Sequence, residues 1–267
     1  MRFARFIDGP SGTLFCTGYE HPEPVDGARA VIVIPPFAEE LNKSRHVLSA
    51  IVRAIGSNGR EVVLADLHGT GDSAGEFSEA SVDGWRRDID RIVEVFGRGR
   101  AVDLVALRFG ALLAADAVAR HPVEQLALLH PVADGKQQLT QMLRLRLAAG
   151  MTAGRGEESM ADLKAMLANG DGVETGGYRL SSEMAAQLPA LKLADIRLER
   201  VRRLAWFEIA AAADRPLMPV SQRLVDGWQS DCDVTAEALV GDQFWMTQEI
   251  AACDVLAERA SEWMLQA

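Results

Sequence analysis

Val102-Asp103-Leu104-Val105-Ala106-Leu107-Arg108-Phe109-Gly110-Ala111-Leu112-Leu113-Ala114-Ala115 decides the fold of this chain. Val102 to Leu107 is a short, mostly apolar run suited to a buried parallel strand. Phe109 to Arg120 is rich in Ala and Leu and suits a helix. No loop residues separate the two. Ala106 and Gly110 lie two places either side of Arg108. Small residues at that spacing let strand and helix backbones nearly touch, and the middle residue is thrust out of the top of the sheet. That is the steric pattern of a nucleophile elbow. The tip of such an elbow calls for Ser, Cys or Asp. Here it is arginine.

The flanking sequence alternates strands and helices. Arg2 to Ile7 and Thr13 to Tyr19 read as an antiparallel hairpin, followed by a Pro-rich loop from His21 to Gly27. Ala30 to Ile34 is a buried strand stopped by Pro35-Pro36, and a helix is expected from about Lys43 to Ser57. Glu61 to Asp66 is the next strand, and Ser81 is the expected N-cap of a helix through Phe96. Gln125 to His130 forms another strand. Leu204 to Ala211 and Asp233 to Val240 complete the set, with helices from about Pro219 and from Thr247 to Leu265. Ile250, Cys253, Ala257, Ala260 and Met264 make the apolar stripe expected of that last helix. Between Gly135 and Arg197 no strand is expected, only helical pieces broken by Gly150, Gly154, Gly156, Gly170, Gly172, Gly176 and Gly177. An insertion of that size reads as a helical cap over the strand ends. The expected organisation is an α/β core from residues 1–134 and 198–267, with a cap at 135–197 and a mostly parallel sheet.

Bulk properties narrow the function. The 267 residues carry a formal net charge of −10, which argues against nucleic acid or an anionic membrane as a partner. No apolar run is long enough to span a bilayer, and Met1 to Asp8 lacks the apolar core of a signal peptide. The three cysteines, Cys16, Cys232 and Cys253, are far apart and form no metal-ligand pattern; reduced core thiols in a cytoplasmic protein are expected. Neither a metal nor a cofactor is implied.

An antiparallel start, an elbow and a cap after the next strand together resemble the α/β-hydrolase superfamily across nearly the whole chain. Asp66-Leu67-His68-Gly69-Thr70-Gly71-Asp72-Ser73 is similar to that superfamily's D-x-x-G-x-G-x-S loop. Pro35-Pro36-Phe37-Ala38-Glu39-Glu40-Leu41-Asn42-Lys43-Ser44-Arg45, Leu107 to Ala111 and Phe244-Trp245 resemble the "hydrolase 2, exosortase A system-associated" subgroup of bacterial exopolysaccharide loci. The resemblance implies chemistry at the carboxyl ends of the strands, by a Ser-His-acid triad. Matched position by position, the nucleophile is Arg108, the acid is Asp214, and the histidine of a G-x-D-H-F pattern is Gln243 in Gly241-Asp242-Gln243-Phe244-Trp245. A guanidinium is no nucleophile near neutral pH, and glutamine is no general base. Two of three triad positions are therefore disabled. Phe37, Ala38, Glu39 and Glu40 occupy the loop that normally supplies an oxyanion-hole amide, and with Phe109 and Trp245 they are the expected ligand-facing residues.

Gly71-Asp72-Ser73-Ala74-Gly75 matches G-x-S-x-G letter for letter, but polar and glycine residues separate it from the strand, and no helix follows at once. Ser73 reads as a hydrogen-bonding loop residue. His21 and His46 read as surface residues, His68 as a turn residue and His121 as a helix end. His130, at the end of the strand beside the elbow strand, is the one candidate base. Glu39-Glu40, on an extended loop with no His or Cys nearby, does not read as a metal site. Glu157-Glu158 and Arg202-Arg203 read as solvated charges.

A cation at the N-terminus of a helix is disfavoured by the dipole, so Arg108 needs a carboxylate or a bound anion, and Glu40 is the expected partner. Two readings stay open. One is an inactive or non-classical hydrolase that binds a small anionic or acyl ligand, or a protein of the exopolysaccharide system. The other is an active hydrolase or acyltransferase with a rearranged site using His130 and Glu39 or Glu40.

Overall fold

The computed structural model describes residues 1–21, 28–152 and 158–266. Most of the expected Pro-rich loop, the breaks at Gly154 and Gly156, and Glu157 lie outside the described residues.

Among the described residues, eight strands form the central sheet, in the order β1-β2-β4-β3-β5-β6-β9-β10. β1 (Arg2–Gly9) and β2 (Gly12–Tyr19) form the antiparallel hairpin, and β2 runs antiparallel to β4 (Val62–Ala65). From β4 onward every pairing is parallel: β3 (Val31–Ile34), β5 (Val102–Leu107), β6 (Val123–Leu129), β9 (Arg203–Ala210) and β10 (Asp233–Val240). The central strands β3 and β5 are buried at every position because helices cover both sheet faces. Alternation still assigns their side chains. Leu104 and Ala106 of β5 join the core shared with α2 (Val82–Gly97), α3 (Gly110–Arg120) and α7 (Pro219–Trp228). Val105 and Leu107 join the core shared with α1 (Ala38–Ser57) and α8 (Asp254–Leu265).

Asp103, fully buried at the start of β5, anchors the opposite end of the sheet. It takes Arg29 Nε at 3.0 and 3.2 Å, the Arg60 guanidinium, and the Gln125 amide at 3.1 Å. Ser73 is structural: its hydroxyl donates to the Asp66 carbonyl at 2.6 Å and accepts from the Phe15 amide at 2.8 Å. Ser81 caps α2 by accepting from the Gly84 amide.

Three expectations are corrected. First, α1 begins at Ala38, not Lys43. Ala38 turns the chain with a φ of +54°, and Glu39 and Glu40 then fill the first helical turn, where the helix dipole favours acids. They are not on an extended loop. Second, α8 begins at Asp254, not Thr247. The Thr247 hydroxyl lies within hydrogen-bonding distance of the carbonyls of Phe244 and Glu249 and donates its one proton between them, a local alternative to helix, and Ile250 is exposed and not part of any stripe. Third, the 135–197 insertion is not wholly helical. It holds α4 (Gly135–Thr152), α5 (Met160–Ala168) and α6 (Ser182–Gln187), but also the hairpin of β7 (Val173–Thr175) and β8 (Tyr178–Leu180). Gly176 and Gly177, both at positive φ, are its two-residue turn and not helix breaks. The hairpin is tied to the core by Asn42 Nδ2 donating to Tyr178 Oη at 2.7 Å, and by the edge of Tyr178 against Phe77. No helix among the described residues is long and apolar enough to cross a membrane.

The β5–α3 junction is as tight as its sequence requires. A Cβ on Gly110 would lie 2.4 Å from the Ile34 carbonyl oxygen and 2.7 Å from that of Pro35. Both are backbone atoms of the β3 end and cannot swing aside. Gly110→Ala is therefore expected to lower stability by about 1–3 kcal/mol in denaturant unfolding. A wild-type midpoint in that variant would show that α3 can lift off β3 freely.

Candidate functional site

Arg108 stands between β5 and α3 with a φ of +55°, a conformation rare outside glycine. Its backbone is held there on both sides. The Arg108 amide donates to the Leu129 carbonyl at 2.9 Å, and its carbonyl accepts from the amides of Ala111 at 3.1 Å and Val132 at 3.3 Å. This turn aims the side chain at the carboxyl ends of the strands, where α1 begins.

There the guanidinium meets Glu40. Nη2 donates to Oε1 at 3.1 Å and Nε to Oε2 at 3.3 Å, a two-pronged pair. Nη1 donates to the His130 carbonyl at 3.2 Å. The indole of Trp245 lies with its ring centroid 4.8 Å from the guanidinium carbon. Arg108 is only 7% exposed. The helical geometry of α1 explains why Glu40, and not Glu39, is the partner. Successive helix residues point about 100° apart, so Glu39 faces outward and pairs with Lys43 at 3.3 Å.

His130 is buried beneath the same indole, with ring centroids 4.5 Å apart. Its φ is +39°. Its Nδ1 accepts from the Ile209 amide at 2.9 Å, so the neutral ring carries its proton on Nε2 and has no free lone pair. Burial, and secondly the Arg108 charge, pull its pKa from 6.5 down to about 3. The expectation of His130 as a base is corrected on these grounds: its only acceptor atom is engaged in the fold.

The remaining expected site residues are scattered. Asp214 follows β9 with a φ of +59° and is exposed, with no hydrogen-bonded or ionic partner among the described residues. Gln243 is also exposed, and its side chain has no partner among the described residues. Neither touches Arg108. Phe109 does not face a ligand. It is fully buried, edge-on to Phe37 with centroids 4.6 Å apart and next to Trp85. Trp245 packs on Arg108 and His130 and is 2% exposed, so it closes the elbow tip instead of lining an open site.

No protein-family model and no curated protein matches the sequence. Solved structures do match in fold. Est1E from Butyrivibrio proteoclasticus with ferulic acid bound is 17% identical over 98% of each chain, with a TM-score of 0.69. The thioesterase domain from the curacin biosynthetic pathway is 16% identical over 100% of each chain, at 0.59. Alpha/beta hydrolase domain-containing protein 10 from mouse is 17% identical, covers 98% of this chain and 96% of its own, and scores 0.58. The chain has the α/β-hydrolase fold.

Beside the elbow a cleft of about 390 Å³ lies between the start of α1 and α4. Phe37, Ala38, Glu39 and Glu40 line one side, and Gln138, Met142 and Leu145 line the other. Gln138 and Met142 are residues that the sequence reading missed. α4 shows little amphipathic patterning to mark which of its residues face inward. Arg108 does not line the cleft.

Two outcomes are expected. Arg108→Ala leaves a nearly buried carboxylate unpaired and should cost about 3 kcal/mol in denaturant unfolding, whereas Arg108→Met with Glu40→Met removes both charges and should recover most of that loss. Equal stability of the single and double variants would show that stranding the Glu40 carboxylate carries no penalty. For His130, the folded pKa lies below the unfolded one, so between about pH 6.5 and 3 the unfolded chain holds the extra proton. Stability is full above 6.5 and falls as pH drops through this window, by up to roughly 5 kcal/mol. Thermal melts of wild type and His130→Phe should diverge in slope over that range. Parallel slopes would contradict the burial of a neutral ring.

Proposed function

We propose that this protein is a non-hydrolytic member of the α/β-hydrolase architecture that binds a small molecule in the cleft between α1 and α4. The observation that carries the reading is the closed ion pair at the elbow tip. The position that would hold a nucleophile holds a guanidinium gripped by Glu40 and roofed by Trp245. The neighbouring histidine has its acceptor nitrogen bonded to the backbone, and the triad-equivalent Asp214 and Gln243 point to solvent. On this reading the nucleophile and base are lacking and the acid position faces solvent, while the cleft has a volume within the usual range for small-molecule sites.

The pair also alters the ligand expected. With Glu40 on it, the Arg108 fork is not free to grip a carboxylate or phosphate, so the acyl side of the expectation is kept and the anionic side is not. The resemblance of Pro35–Arg45, Leu107–Ala111 and Phe244–Trp245 to the exosortase A system-associated group supports a role in bacterial exopolysaccharide production. The rearranged-site reading is not favoured, because His130 and Glu40 are both engaged in the fold.

Turnover of short-chain p-nitrophenyl esters should be at the buffer rate in wild type and in Arg108→Ala alike, and a fluorophosphonate probe should label no serine, Ser73 included. Ester hydrolysis that disappears in Ser73→Ala or in His130→Phe would overturn the reading.

A further inference from the structure

The cleft has an unusual balance of charge and hydrogen-bonding capacity. Among the described residues, two carboxylates line it and no cation does. Both carboxylates are already matched, Glu40 by Arg108 and Glu39 by Lys43. An anionic ligand would meet two acids with no counter-charge, and a cationic one would compete with ion pairs already made. The apolar part of the wall comes from Phe37 on one side and from Met142 and Leu145 of α4 on the other, and Leu145 is 56% exposed.

One buried polar side chain among the described residues of this wall is unsatisfied. Gln138, in the first turn of α4, is 4% exposed, yet its Oε1 is buried without a hydrogen-bond partner, and neither amide atom is bonded among the described residues. Thr175, by contrast, donates its hydroxyl to the Met142 carbonyl at 3.0 Å. A buried primary amide with no partner is costly, and proteins seldom retain one without something to meet it. The amide carries both donors and an acceptor, so a carboxamide or similar neutral group answers it in either orientation.

Resting on the ligand-binding reading above, we propose that the cleft takes an uncharged ligand with an apolar acyl or aryl body and one neutral hydrogen-bonding group, and that Gln138 recognises that group. The body lies along Met142 and Leu145, and the polar group reaches the Gln138 amide. The ion pairs of Glu39 and Glu40 make the wall neutral and exclude charged heads.

Calorimetric titration of the full chain with hexanamide, hexanoate and hexylammonium varies the head group at constant body. Hexanamide should bind about tenfold more tightly than either charged probe. Gln138→Leu should lose about tenfold in hexanamide affinity while leaving the thermal midpoint of the free protein at or above that of wild type. The exposed-site variant Leu145→Asp, which does not disturb the core, should abolish hexanamide binding. Hexanoate or hexylammonium binding as tightly as hexanamide, or unchanged hexanamide affinity in Gln138→Leu, overturns this inference alone. If no probe binds, or if Leu145→Asp has no effect on hexanamide, the cleft is not the ligand site and the reading beneath it falls as well.

Discussion

The ion pair between Arg108 and Glu40 sets the character of this molecule. It joins the first turn of α1 to the β5–α3 junction, two segments distant in sequence that the sheet brings together. Its two ends feel opposite fields. Glu40 lies in the first turn of a long helix, where the dipole stabilises a carboxylate. Arg108 lies just before the start of α3, where the dipole opposes a cation. The carboxylate offsets that penalty directly, and the His130 carbonyl and the face of Trp245 supply further negative potential. The guanidinium is therefore surrounded by acceptors on each side that the structure describes. A group so enclosed is part of the wall of the fold, and its chemistry with any ligand is indirect.

Several neighbours take their roles from that enclosure. Trp245 is part of the apolar core and from there covers the cation and the histidine, and Phe244 beside it is fully buried. These two aromatics hold the segment after β10 against the sheet and leave Gln243, immediately before them, facing solvent. His130 gives its carbonyl to Arg108 and its Nδ1 to the Ile209 amide, so it links β6 to β9 and steadies the charge at once. Arg108, Glu40, His130 and Trp245 thus form one packed, hydrogen-bonded cluster at the carboxyl ends of the strands.

The architecture was legible in the sequence because it rests on strong, local signals. Short apolar runs stopped by Pro35-Pro36 or Pro131, the small residues at Ala106 and Gly110, and the N-cap Ser81 each state their role without knowledge of distant contacts. Glu40 was legible as the partner of Arg108 for a different reason: an elbow tip with a cation needs an acid, and few lie close enough. Local signals failed where tertiary contacts decide. Glu39 and Glu40 looked extended because two prolines precede them, yet the Ala38 turn starts the helix at once. Phe109 sits beside the elbow tip in sequence, but its side chain turns the other way into an aromatic cluster with Phe37 and Trp85. The buried anchor at Asp103 and the orphaned amide of Gln138 carry no local mark at all. A carboxylate inside an apolar strand is explained only by Arg29 and Arg60, far away along the chain.

Backbone strain in this protein bears on how such sites are read. Ala38, Arg108, His130 and Asp214 all adopt positive φ without being glycine. Each follows the carboxyl end of a different parallel strand, β3, β5, β6 and β9. Such residues cost on the order of 1–3 kcal/mol each and are often taken as signs of catalysis. Here Arg108 and His130 are held in that conformation by backbone hydrogen bonds to neighbouring strands, and by α3 lying against the end of β3 where only Gly110 fits. The same contacts would impose the same turn on serine or on arginine. The strain therefore belongs to the geometry of chain reversal at the top of this sheet. Removing it would require unpacking α3, so the elbow identifies the fold, and only the side chain at its tip bears on the chemistry.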